Sequence, residues 1–263
     1  MEDANEVSPS NDDWVVQDVR TAYSKYLITA ALRDLVDVQD IVELSVPNHA
    51  FSLRRCLTTD RVFDGRGSYP ADFFFMYAWV MKDSCLVIPF DDFCTDVLRY
   101  LNVAPTQLHP NGWTYVRAFQ FVCAALCLTP TIPLFFTHYQ SRPGKSVGWL
   151  SLISQVRNCL FKHFSSSYKH FKDTFIKITF GEVGRGYIFD GEEPKFPLYW
   201  RRSPARASFW PRSGLSAKDS STLSVLDSLP RGIPARDILN TYWCEDPASV
   251  VFGTFYISLI MAF

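Results

Sequence analysis

One run of residues constrains this chain more than any other. Asp72-Phe-Phe-Phe-Met-Tyr-Ala-Trp-Val-Met81 is apolar on every side after its first residue. It has no face to offer water, so it must be deeply buried, and periodicity cannot decide whether it is strand or helix. Burying it takes a large core. With 263 residues, 48% of them hydrophobic and 22 of them Phe, the chain can supply one, and disorder is excluded for most of its length.

On either side of that run the period changes. Upstream, Val19, Tyr23, Leu27, Ala30, Ala31 and Leu35 recur at three and four, which predicts an amphipathic helix within residues 18–44. Downstream, Asp91 or Asp92 is placed to cap a helix burying Phe93, Val97, Tyr100 and Leu101. Pro110 suits the first turn of the next, because its missing N–H would be unpaired there anyway. Trp113, Val116, Phe119, Cys123, Leu126 and Cys127 form its stripe, and Pro130 and Pro133 are expected to stop it. Residues 134–139, 148–153 and 174–180 then read as short strands rich in β-branched and aromatic residues. The expected fold is α+β, a helical N-terminal half followed by a small antiparallel β-sheet.

Composition divides the chain further. Five acids fall within the first 13 residues, with no apolar run, so residues 1–16 read as a disordered acidic tail and no secretory signal is expected. Residues 17–68 hold the N-terminal helix and a loop, and residues 69–200 a central domain. Residues 201–236 read as a basic, mobile linker, because residues 201–221 hold Arg201, Arg202, Arg206, Arg212 and Lys218 against Asp219, with prolines and serines. Residues 237–263 end in an uncharged run from Val250 to Phe263, shorter than the roughly 20 residues of a spanning helix. That abrupt apolar end fits a truncated reading frame, or one read into non-coding sequence, better than a membrane anchor. The seven cysteines are odd in number and widely spread, which reads as reduced thiols of a nuclear or cytoplasmic protein.

Several chemistries are absent. Gly144-Lys145-Ser146 ends like a phosphate-binding loop, but Tyr139 stands where the first glycine is needed. Gly181, Gly184 and Gly186 miss dinucleotide-binding spacing and read as a hairpin turn. Cys123 and Cys127 would share a helix face, yet no further ligand pair makes them a zinc site. Asp91-Asp92 is better explained by capping than by metal-dependent chemistry, and no Gly-x-Ser-x-Gly elbow nominates a serine. No cofactor, metal or small-molecule substrate is expected.

A net charge of -1 rules out whole-chain electrostatic binding of nucleic acid, though not a local patch. Arg157, Lys162, Lys169, Lys172 and Lys177 alternate with Phe161, Phe164, Tyr168, Phe171 and Phe175. Cations that track a backbone beside aromatics that stack on bases are the combination used for single strands. A strand with its aromatics in the core and its lysines in water produces the same alternation, and is the simpler account.

The landmarks are Val87-Ile88-Pro89-Phe90, Leu98-x2-Leu101-Asn102-Val103-Ala104-Pro105 and Gln107-Leu-His-Pro-Asn-Gly-Trp113, which includes His109 and Pro110. Val116-Arg117-Ala118-Phe119, Gly148-Trp149, Ser167-x-Lys169-x-Phe171-Lys172-x2-Phe175 and Phe196-Pro197-Leu198-Tyr199-Trp200 follow in order. Across residues 69–200 this pattern resembles the plant gypsy-type transposase domain family, associated with LTR retrotransposon reading frames. The resemblance implies a retroelement-derived protein and carries over no catalytic residue. Its landmark residues are mostly framework types, so a non-catalytic, gag-like or accessory protein is expected, with single-stranded nucleic acid or copies of itself as partners. The alternatives are a metal-dependent transposase or nuclease, and a decayed, inactive fragment.

Overall fold

The protein is described by a computed structural model over residues 12–36, 46–47, 49–65, 72–142, 148–155, 159–162 and 171–240. The acidic tail up to residue 11 and the apolar run 250–263 lie outside these residues. Residues 12–16, expected to be disordered, are packed: Val15 is buried and the Trp14 ring meets Phe63 edge-on at 6.0 Å.

The single helix expected within residues 18–44 is broken. Helix α1 (Gln17–Arg20) ends early, and α2 (Thr29–Val36) begins only after eight residues of irregular chain. Tertiary hydrogen bonds take that stretch. Lys25 N donates to Asp173 O at 2.7 Å, the Ser24 hydroxyl donates to Phe175 O, and Tyr26 O accepts from Cys56 N at 2.9 Å. Non-local pairing has overridden a local helical period.

Strand β1 (Phe51–Arg54) follows, and then the apolar run divides in two: β2 (Phe73–Tyr77) and α3 (Ala78–Asp83). Aromatic strand formers give way to Ala78, whose N–H reaches Thr174 O at 2.9 Å. The run is buried throughout β2, but Trp79 is 45% exposed on α3. Asp91 caps α4 (Asp92–Leu101) by accepting from Cys94 N at 2.9 Å. Asn102 closes the helix in the left-handed region (φ 51°), where Asn is tolerated better than most side chains. Helix α5 (Pro110–Ala125) starts at Pro110 as expected and is buried on nearly every side.

The next element departs from the sequence reading. Residues 132–138 are helix α6 (Ile132–His138), not strand. Pro133 lies in the first turn, where proline is tolerated, and the Thr131 hydroxyl caps the helix by accepting from Leu134 N. Strands β3 (Tyr139–Arg142) and β4 (Ser151–Ser154) pair antiparallel, and β5 (Phe161–Lys162) follows.

Strand β6 (Phe175–Phe180) is the centre of the main sheet, antiparallel to β1 on one side and β2 on the other. Every one of its residues is buried, so the solvated face expected for it does not exist. Gly181, Gly184 and Gly186, read as a hairpin turn, instead cap and build helix α7 (Glu182–Ile188). Gly184 is required there because a Cβ would lie 2.1 Å from Ala50 O. The small hairpin β7 (Phe189–Asp190) and β8 (Glu193–Pro194), helix α8 (Ala217–Asp227), β9 (Ile233–Pro234) and α9 (Ala235–Asn240) complete the chain. β9 runs parallel to β5, and α9 packs on α5.

The fold is thus mixed α and β with small, mainly antiparallel sheets. Its helices and strands interleave instead of segregating into halves, because β6 recruits partners from the N-terminal part of the chain. The aromatic surplus fills the core. Tyr139, for example, stacks on Tyr115 at 4.9 Å and Phe135 at 4.7 Å. Among the described residues no helix is long and apolar enough to cross a membrane.

Candidate nucleic-acid interface

The basic and aromatic segment separates into unlike parts. Arg157 and Lys169 lie outside the described residues, as do Phe164 and Tyr168. Lys162 ends β5 and is exposed. Lys172 is partly exposed; its Nζ lies 5.3 Å from the centroid of the Trp149 ring and bonds the Asp18 carboxylate, holding that carboxyl below its usual range. Lys177 is buried in the central strand, with Nζ 2.8 Å from the equally buried Asp60 carboxylate and 4.9 Å from the Phe73 ring centroid. Phe161, Phe171 and Phe175 are buried too, so these rings face the core. The segment brings Lys162 and Lys172 to the surface and withholds Lys177.

The landmark residues hold the domain together. Phe90, after Pro89, packs against Trp113 and Phe196 at 5.5 and 5.3 Å. His109 Nδ1 accepts from Asn111 N at 3.1 Å and so caps α5, and burial pushes its imidazole down to about 4. Pro110 fills the first turn, and Trp113 Nε1 donates to Pro105 O at 2.9 Å. Gly148 precedes Trp149, whose Nε1 donates to the Tyr77 hydroxyl at 3.1 Å while its ring meets Phe171 and Trp200 edge-on. Trp200 Nε1 in turn donates to the Thr106 hydroxyl at 2.9 Å. Arg117, half-hidden in a sequence motif, is buried and donates to Ser84 O, Cys85 O, Gln120 Oε1 and the Asp91 carboxylate.

Burial makes the Cys94 and Cys123 thiols poor nucleophiles. Burial pushes Cys123 up to about 12 and Cys94 well above the usual range. Cys127 does not share its face with Cys123: it lies past the end of α5, exposed, at φ 53°.

A surface track lies between Trp200 and Pro211, where composition predicts a mobile linker. The chain here is pinned. Gln107 binds both backbone ends of Arg201, accepting from its N–H at 2.9 Å and donating to its O at 2.8 Å. Ala205 N donates to Leu101 O at 2.7 Å, Ala207 O accepts from Ser141 N at 2.8 Å, and Trp210 N donates to Phe136 O at 2.7 Å. Beyond it, Ser216 caps α8, and Arg212 is tied to Asp227. Arg201, Arg202 and Arg206 are exposed along this track, while Ala207 faces inward. Proline and serine content suggested slack; the non-local hydrogen bonds that remove it leave no local sequence signal.

On another side, α4 and the β7–β8 hairpin enclose an open cleft of about 700 Å³ lined by Asp92, Asp96, Arg99, Asp190, Glu193 and Lys195. Asp96 is engaged by Arg99. Among the described residues no three His, Cys, Asp or Glu side chains come together in a way that could hold a metal ion.

Residues 80–143, about a quarter of the chain, match the family model described as gypsy type transposon. The match runs from α3 past the end of β3 and contains the Pro89-Phe90 and Gln107 to Trp113 landmarks. No curated protein and no solved structure matches the chain. The segment that carries α4, α5 and α6 is thus similar to the gypsy-type transposon family.

Proposed function

We propose that this chain is a non-catalytic, gag-like or accessory protein of a plant retroelement, working inside the cell by binding nucleic acid. One observation carries the reading: in the matched segment the polar side chains of the landmark motifs are spent on the fold. His109 caps a helix, Trp113 ties down the loop before it, Gln107 clamps Arg201 and Arg117 bridges to the loop before α4. Exposed cations, by contrast, are carried by the segment that Gln107 clamps.

The cleft beside α4 favours a second reading, a metal-dependent nuclease, because four carboxylates line it. A supercoiled-plasmid nicking assay with Mg²⁺ and with Mn²⁺, run beside fluorescence anisotropy on single-stranded oligonucleotides, separates the two. Salt-sensitive binding without nicking is the expected result. Nicking that disappears in an Asp92→Asn, Asp96→Asn, Asp190→Asn, Glu193→Gln variant overturns the proposal in favour of the enzyme. A folded chain that neither binds nor nicks points to an inactive fragment.

A further inference from the structure

We infer that residues 200–211, together with Arg142 and Tyr100, form a docking track for single-stranded nucleic acid; this rests on the binding function proposed above and gives it a location. The track differs from an ordinary arginine-rich linker in being held open. Hydrogen bonds to Gln107, Leu101, Ser141 and Phe136 fix it at intervals along its length, so its arginines are displayed without the ordering cost that a disordered segment meets on binding. At about 3.3 Å per residue, the nine steps from Arg201 to Trp210 cap the length of the strip at roughly 30 Å.

Its charge is of one sign. From Arg201 to Lys218 the sequence contains no acid. Arg142 adds to it from a neighbouring segment: Ser141, the residue before it, is hydrogen-bonded to both Ala205 and Ala207, which flank Arg206. Among the described residues Arg142, Arg201 and Arg206 are exposed and have no ion-pair partner. Such a row of guanidinium groups fits phosphate, which they can grip in a bidentate manner.

Aromatic faces lie at one end. Tyr100 is 37% exposed, with its ring centroid 6.3 Å from that of the partly exposed Trp210 and 4.8 Å from Phe136. The Trp210 backbone is one of the pinned points. Rings held beside a cationic strip can stack on unpaired bases, whose faces a duplex hides. Phosphate and base face are the groups contacted, so RNA and DNA single strands are expected to bind alike.

The test uses the full chain and fluorescein-labelled single strands of about 16 nucleotides, RNA and DNA of one sequence, with a duplex control over a salt series. Neutralising three phosphate contacts in an Arg142→Gln, Arg201→Gln, Arg206→Gln variant is expected to cut the slope of log K against log salt by about 2 and to weaken binding at least tenfold near 50 mM salt. Tyr100→Leu, which keeps the packing against Phe136, is expected to weaken single-strand binding roughly tenfold without changing that slope. A Lys162→Gln, Lys172→Gln variant is expected to bind as the parent does.

The outcomes are distinguishable. If the triple variant binds like the parent while the lysine variant loses affinity, the track is refuted and the binding function survives. If the folded parent binds neither strand at low salt, both fail. If the triple variant loses affinity for phosphatidylserine vesicles as steeply as for oligonucleotides, or the duplex binds as tightly as the single strand, the track is a non-selective cationic surface and the inference is overturned.

Discussion

Replacing Lys177 with methionine tests how the centre of the sheet is held. The Lys177 and Asp60 side chains are 1% and 3% exposed, and their charged atoms lie 2.8 Å apart. Lys177→Met keeps the aliphatic length and removes the ammonium, leaving the Asp60 carboxylate buried with the Leu57 N–H as a remaining partner. Removing one member of a buried pair costs about 3–5 kcal/mol, because the other charge is stranded in a poor solvent. For a chain of this size that lowers the melting temperature by roughly 10 °C. Asp60→Asn, which strands the cation beside the Phe73 ring, is expected to cost a similar amount. The double variant should recover most of the loss, since the amide that replaces the Asp60 carboxylate can still accept from Leu57 N and neither charge remains. Urea denaturation followed by tryptophan fluorescence on all four proteins completes the cycle, with a coupling energy of at least about 2 kcal/mol expected. A Lys177→Met chain within about 1 kcal/mol of the parent would refute the reasoning, for it would mean that the ammonium reaches water.

Three further outcomes follow from the packing. Burial pushes His109 and His138 each down to about 4, below the roughly 6.5 of an unfolded chain, so between those values the unfolded state binds more protons and stability rises with pH. Stability is therefore lost on acidification from about pH 6.5 towards 4, by up to about 3 kcal/mol per histidine, and a urea midpoint unchanged between those values contradicts this. A His109→Asn, His138→Gln variant should flatten the dependence. Gly184→Ala places a Cβ 2.1 Å from Ala50 O and 2.7 Å from Phe180 Cβ, and a loss of about 3 kcal/mol is expected by thermal denaturation; no loss would show that β1 and α7 can move apart freely. Arg117→Lys keeps the charge but not the planar fork that reaches Ser84, Cys85, Asp91 and Gln120, so a loss of about 2–3 kcal/mol is expected, and parental stability in the lysine variant would contradict that geometry.

Features set by neighbours in the chain were legible from the sequence. Asp91 caps α4 and Pro110 opens α5 because both effects act within one helical turn. The run at residues 174–180 is a strand for the same kind of reason, its β-branched and aromatic residues being adjacent. What escaped were choices made by distant partners. Lys177 reads as a surface lysine until Asp60 folds against it, and the helical period after Val19 is interrupted because Ser24 and Lys25 bond to the chain leading into β6. Pro133 reads as a stop, yet with Thr131 as cap it is a start, since proline is tolerated in a first helical turn and excluded only from the interior. The candidate site divides in the same way: the family landmarks were readable as framework, whereas the arginine track was hidden because its rigidity comes from Gln107, Leu101, Ser141 and Phe136.

The proposed arginine track fixes where a single strand would touch this surface. Photocrosslinking of the full chain to single-stranded RNA carrying 4-thiouridine, followed by mass spectrometry of the adducts, reads this directly. Adducts are predicted within residues 199–212 and at Tyr100, and they should fade with salt as phosphate contacts do. Adducts confined to residues 159–177, or lying in the carboxylate-lined cleft beside α4, would contradict it.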